Sequence, residues 1–75
     1  MNQRLKIEVR GIVQGVGFRP FVYRLAHRFA LTGNIRNSEA GVSIEVQGAE
    51  DDIASLLSAL SAEAPPIARL NEIII

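Results

Sequence analysis

A chain of 75 residues has room for one small domain and no second core, and 48% hydrophobic residues is the composition of a folded globule rather than of a disordered segment. The absence of cysteine excludes disulfides, thiolate zinc sites and cysteine nucleophiles together, and it fits a reducing, cytoplasmic setting. Formal net charge is zero, but seven of the eight basic residues fall within residues 1–37 and seven of the eight acidic ones within 38–75. Such asymmetry arises from an anion-binding face or from two halves that neutralise each other within one fold, and the second is the expectation.

The amino terminus MNQRLKIEVR alternates polar and apolar residues without a continuous apolar stretch, so it does not read as a signal peptide, and no segment approaches membrane-spanning length. From Leu5 to Val9 the apolar residues alternate with Lys6, Glu8 and Arg10, a period of two that predicts a strand over Leu5–Val13 with one buried face. The stretch VQGVGFRP follows, residues 13–20. Beyond it Phe21, Val22, Leu25, Ala26 and Phe29 recur at helical spacing, with Arg24, His27 and Arg28 on the opposite side, which predicts a helix over Pro20–Ala30. Pro20 suits a first turn, where its missing amide hydrogen costs nothing.

LTGNIRN then turns on Gly33 into a short second strand, and SEAG returns the chain into VSIEVQG, where Val42, Ile44 and Val46 alternate with Ser43, Glu45 and Gln47. AEDD places negative charge at the start of a second helix whose stripe is Ile53, Leu56, Leu57 and Leu60, and Pro65 and Pro66 stop it. The closing LNEIII, rich in β-branched residues, reads as a buried strand. The order βαββαβ is met most economically by an α+β, ferredoxin-like sandwich, one antiparallel sheet with two helices on one face. In that topology the first two strands run the same way. The loop after the first and the hairpin after the second then share an edge, where Arg19 can face Asn37.

Gly15 and Gly17 permit backbone conformations closed to other residues, so successive amide groups of the loop Gln14, Gly15, Val16, Gly17, Phe18 and Arg19 can turn inward as a nest. The nest opens onto a helix start, where unpaired N–H groups and the helix dipole add positive potential. The Arg19 guanidinium there can hold two oxyanion oxygens at once, which points to phosphate. The pattern is neither a Rossmann nor a P-loop signature, because G-x-G-x-x-G fails at Pro20 and no G-K-[ST] follows. Residue types alone leave a plain tight turn open at the glycines, and a simple turn cap open at Asn37. His27 lies on the polar helix face and reads as solvated. Arg24 and Arg28 make a basic stripe, but one tyrosine and three phenylalanines are too few for base stacking, so nucleic acid is not expected as a partner.

VQGVGFR, GNIRN and GVSIEVQG, in that order and covering almost the whole chain, resemble the acylphosphatase family. The resemblance implies hydrolysis of acyl phosphates on a ferredoxin-like domain without a metal, with Arg19 binding the phosphate and Asn37 positioning the attacking water. Within the family, FRPFVYRLA, NIRNSEAGV and PPIARL are similar to the amino-terminal domain of the carbamoyltransferases that mature nickel-iron hydrogenases. That resemblance implies carbamoyl phosphate as substrate, with carbamate passing to downstream domains of the same protein. Zinc and ATP would belong to those downstream domains and not to this one, and hydrogenase maturation proteins would be the wider partners. It also implies that residues 1–75 are one acylphosphatase-like domain, an amino-terminal fragment lacking a last short strand. The chain departs from the free-standing enzymes at Asn34, where tryptophan is common. A free-standing acylphosphatase and a non-catalytic anion-binding or docking module are the alternatives.

Overall fold

The computed structural model describes residues 2–15, 17–66 and 68–75. The chain runs through β1 (Asn2–Ile12), α1 (Phe18–Arg28), β2 (Thr32–Asn37), β3 (Gly41–Ala49), α2 (Glu50–Ala62) and β4 (Arg69–Ile74). The sheet order is β2-β3-β1-β4, with β1 antiparallel to both β3 and β4, and β2 antiparallel to β3. This is the predicted ferredoxin-like sandwich.

Register explains why one face of the sheet is dry. Ile7 pairs with Ile44 and Val9 with Val42, so the period-two apolar sets of β1 and β3 fall on the same side. Against them pack Phe18, Phe21, Val22 and Leu25 of α1 and Ile53, Leu56, Ala59 and Leu60 of α2, all buried. Full burial of each large aliphatic or aromatic side chain stabilises the fold by about 1.5–3 kcal/mol before entropy is counted. Leu57, predicted in the α2 stripe, is only half-buried at its margin. The other sheet face, with Arg4, Lys6, Glu8, Ser43, Glu45 and Gln47 in register, is polar.

Three ion pairs, Arg4 with Glu45, Arg10 with Glu72 and Arg28 with Glu63, each join the basic half of the chain to the acidic half. The charge asymmetry of the sequence is therefore in part internal neutralisation, with three of the seven basic residues of the first half paired in this way among the described residues. All three pairs are exposed, so each contributes little to stability.

The sequence reading and the structure differ at both ends of β1, at both ends of α1 and at the turn into β2. β1 begins at Asn2, because its polar first residues pair with Gln47, Gly48 and Ala49 even though their side chains are exposed. α1 begins at Phe18 and ends at Arg28; Gly17 stands before it, and the Phe21 amide donates to the Gly17 carbonyl at 3.2 Å. The turn expected at Gly33 is made at Ala30 instead, with φ 56°, where the Ala30 amide donates to His27 O and the Leu31 amide to Ala26 O. That pair of bonds is a Schellman cap, and it leaves Gly33 inside β2.

β4 is an edge strand rather than a buried one. Leu70 and Ile73 are half-buried, while Ile74 and Ile75 are 37% and 68% exposed. Leu70 opposes Gly11 and Ile73 opposes Val9, so Asn71 is the extra residue of a bulge. The bulge puts two residues three apart on the same face, a spacing that strand periodicity alone does not suggest.

Candidate active site

α1 and α2 carry opposite chemistry at their amino termini. α2 has Glu50, Asp51 and Asp52 in its first turn, which supply negative charge to its own dipole. The first turn of α1 has no acidic residue and carries Arg19 as its second residue, exposed. Proline at position 20 removes one unpaired amide hydrogen, leaving those of the residues before it to face outward. An anion from outside the chain is the natural complement of this helix end.

The loop before it is held open by backbone geometry. Gly15 has φ 74° and Gly17 φ 79°, both left-handed, and a side-chain carbon placed at either would meet nothing within 4 Å. The glycines are thus required by conformation, and the space above them is empty. Phe18 is its anchor: 1% exposed, with its ring tilted against Phe21 at a centroid distance of 5.6 Å, it fixes the helix start to the core and leaves its neighbour Arg19 in solvent. Val16, predicted in the same loop, lies outside the described residues.

Asn37 reaches this edge through the sheet. β1 and β2 are both antiparallel to β3 and so run in the same direction, ending together. Asn37 pairs with Val42, which pairs with Val9, so Asn37 stands on the helix-bearing face at the end where α1 starts. It is exposed, and among the described residues its side chain makes no hydrogen bond to the hairpin, so it does not serve as the turn's cap. The hairpin closes instead through Ser38 N to Gly41 O at 2.9 Å around Glu39 and Ala40.

Gln14 ties the two pieces together. Its side-chain nitrogen donates to Ser38 O at 2.8 Å and to Gly41 O at 2.9 Å, and the Gly11 amide donates to Ala40 O at 3.0 Å. The sequence places Gln14 in the phosphate loop, but its amide is turned to the hairpin. Periodicity offers no sign of this, since the acceptors are backbone carbonyls remote in sequence.

Below the hairpin, on the open sheet face, Glu8 accepts the Ser43 hydroxyl. That bond is the first cause holding the Glu8 carboxyl below the usual carboxylate range. The Ser38 hydroxyl, buried and without a partner in good bonding geometry, adds to the lowering.

The remaining sequence candidates fall away from this edge. His27 is exposed on the polar face of α1, and Arg28 is taken up by both oxygens of Glu63, at 3.1 and 2.9 Å, and by the face of Phe29. A groove of about 360 Å3 between α1 and β2, lined by Tyr23, Ala26, Ile35 and Glu45 among others, includes neither Arg19 nor Asn37. Gly15, Gly17, Arg19 and Asn37 all lie at the surface, open to solvent. Among the described residues no group of three or more His, Cys, Asp or Glu side chains assembles, and no helix is long and apolar enough to cross a membrane.

The family model for acylphosphatase matches residues 5–75. The chain belongs to the acylphosphatase family. Over 93% of its length it is 56% identical to the carbamoyltransferase HypF2 of Cupriavidus necator, of which the matched region is 9%. A crystal structure of full-length HypF in the phosphate- and nucleotide-bound form superposes with a TM-score of 0.95 at 39% identity, covering 99% of this chain and 10% of that one. The free-standing acylphosphatase from Bacillus subtilis superposes with a TM-score of 0.88 at 35% identity, covering 99% of this chain and 81% of that one. This acylphosphatase domain is thus similar both to a small part of HypF proteins and to most of a free-standing enzyme.

Proposed function

We propose that residues 1–75 form an acyl-phosphate-hydrolysing domain of a larger carbamoyltransferase, acting on carbamoyl phosphate in the maturation of nickel-iron hydrogenases. The observation that carries the hydrolytic reading is the acid-free start of α1, opened by Gly15 and Gly17, bearing Arg19 and bonded through Gln14 to the hairpin that presents Asn37. The similarity to HypF proteins named carbamoyltransferases supports a carbamoyl substrate, and the matched region, only about a tenth of each, supports the larger chain.

In this reading the loop amides and the Arg19 guanidinium bind the phosphate oxygens and stabilise charge as it shifts in the transition state. The Asn37 amide holds a water in line with the bond to be broken. The water oxygen forms a bond to phosphorus, the bond from phosphorus to the carbamoyl oxygen breaks, and of the water's two protons one passes to solvent while the other stays on the inorganic phosphate released. Carbamate leaves as a stable anion, so no general acid is required and no metal is invoked. Carbamate then passes to downstream domains of the same protein, where zinc and ATP would act.

The test is phosphate release from carbamoyl and acetyl phosphate in the presence of a chelator. Turnover of both, faster with carbamoyl phosphate, is expected. Activity that disappears with chelator and returns with zinc contradicts the mechanism, and phosphate binding without turnover favours a docking module.

A further inference from the structure

The brace made by Gln14 has a geometry suited to one task. The two carbonyls it bonds, Ser38 O and Gly41 O, belong to the pair of residues that closes the β2-β3 hairpin, and Asn37 directly precedes that pair. Gln14 itself directly precedes Gly15, the first glycine of the nest. A single side-chain amide therefore spans the two halves of the site, with both of its hydrogens used. One of its bonds is partly buried, where such a bond is screened less by water.

We infer that Gln14 is a positioning residue, which sets the distance between the phosphate nest and the Asn37 amide without itself touching the phosphate. The inference rests on the hydrolytic reading for its kinetic consequence but not for its structural one. A displacement of about 1 Å between binding and reacting groups is enough to cost on the order of a hundredfold in rate. Loss of the brace would thus act on turnover and leave anion affinity in place.

The experiment compares the parent chain with Gln14→Ala and Gln14→Glu, using inorganic phosphate as the probe in NMR titrations and acetyl phosphate in kinetics. In the parent, phosphate shifts the amides of Gly15 and Gly17 and the side-chain amide of Asn37. In Gln14→Ala the two glycines still shift, with phosphate affinity within about twofold, while the Asn37 response is lost and kcat falls by about tenfold or more with little change in KM. Gln14→Glu faces two carbonyl oxygens with acceptors at neutral pH. It regains a donor only when protonated, so its Asn37 response and kcat recover as pH falls towards about 5, which Gln14→Ala does not do. An unchanged Asn37 response in folded Gln14→Ala overturns the inference, as does loss of glycine shifts and phosphate affinity together, which makes Gln14 a ligand. If Gln14→Ala does not fold, a Gln14→Glu response that is independent of pH overturns it. A parent that shows the shifts without hydrolysis refutes the proposed function and leaves the positioning role standing.

Discussion

The two ends of α1 should respond in opposite directions to exchange of alanine and glycine. Gly17, before the helix, has φ 79°, and Ala30, after it, has φ 56°. A side chain in the left-handed region costs about 1–2 kcal/mol, offset by the 0.4–1 kcal/mol that alanine gains over glycine through a less flexible unfolded chain. No atom beyond its own chain neighbours lies within 4 Å of where a Gly17 side chain would stand, so backbone strain is the main effect there. Gly17→Ala is expected to destabilise by about 1 kcal/mol and Ala30→Gly to stabilise by up to about as much. In a domain of this size each shifts the melting temperature by roughly 4–8 °C per kcal/mol. Thermal unfolding followed by circular dichroism reads both. Repeating the melts in phosphate adds a functional axis, since a ligand bound only by the folded state raises stability. Ala30→Gly should keep the full phosphate-dependent rise and Gly17→Ala should lose part of it. Shifts of the same sign in the two variants, or no change in Gly17→Ala, would refute the assigned backbone geometry.

Three other outcomes are expected. Inorganic phosphate should inhibit hydrolysis competitively, and chelation should leave both the inhibition and the turnover unaltered in steady-state assays. Glu8 and Glu45 are held below the usual carboxylate range, Glu8 first by Ser43 and Glu45 first by its hydrogen bond from Arg4. Depressed folded values mean stability that is present above the unfolded value, about 4.3, and lost as pH falls through the lowered folded values. Melting temperatures should therefore drop below about pH 4, less steeply in Ser43→Ala at equal baseline, and a flat profile would contradict the Glu8 assignment. Leu56 is fully buried in α2, and Leu56→Ala should cost about 2–5 kcal/mol, a large part of what a domain this small possesses, as chemical denaturation will show.

How far the sequence could be read depended on whether the information was local. The alternation in β1 and β3 and the stripes of α1 and α2 are single-element patterns, and they placed those four elements and, Leu57 apart, their buried faces. The parallel run of β1 and β2 followed from element order, and with it the shared edge of Arg19 and Asn37. What escaped was set by contacts between elements. The Schellman cap at Ala30 uses a residue type that rarely takes left-handed geometry, so Gly33 drew the turn in its place. The Asn71 bulge depends on pairing with Gly11 and Val9, and made an edge strand look like a buried run. The Gln14 brace joins a side chain to carbonyls more than twenty residues away, which no spacing rule encodes.

The central claim, that Arg19 binds the phosphate and Asn37 orients the water, is tested most directly by measuring kcat and the phosphate inhibition constant for Arg19→Ala and Asn37→Ala side by side. Arg19→Ala should weaken phosphate inhibition and turnover together, by about 1.5–3 kcal/mol for the lost charged hydrogen bonds. Asn37→Ala should retain the inhibition constant while turnover falls by roughly a hundredfold or more. Loss of phosphate affinity in Asn37→Ala with turnover per bound substrate preserved, or unaltered hydrolysis in both variants, would contradict it.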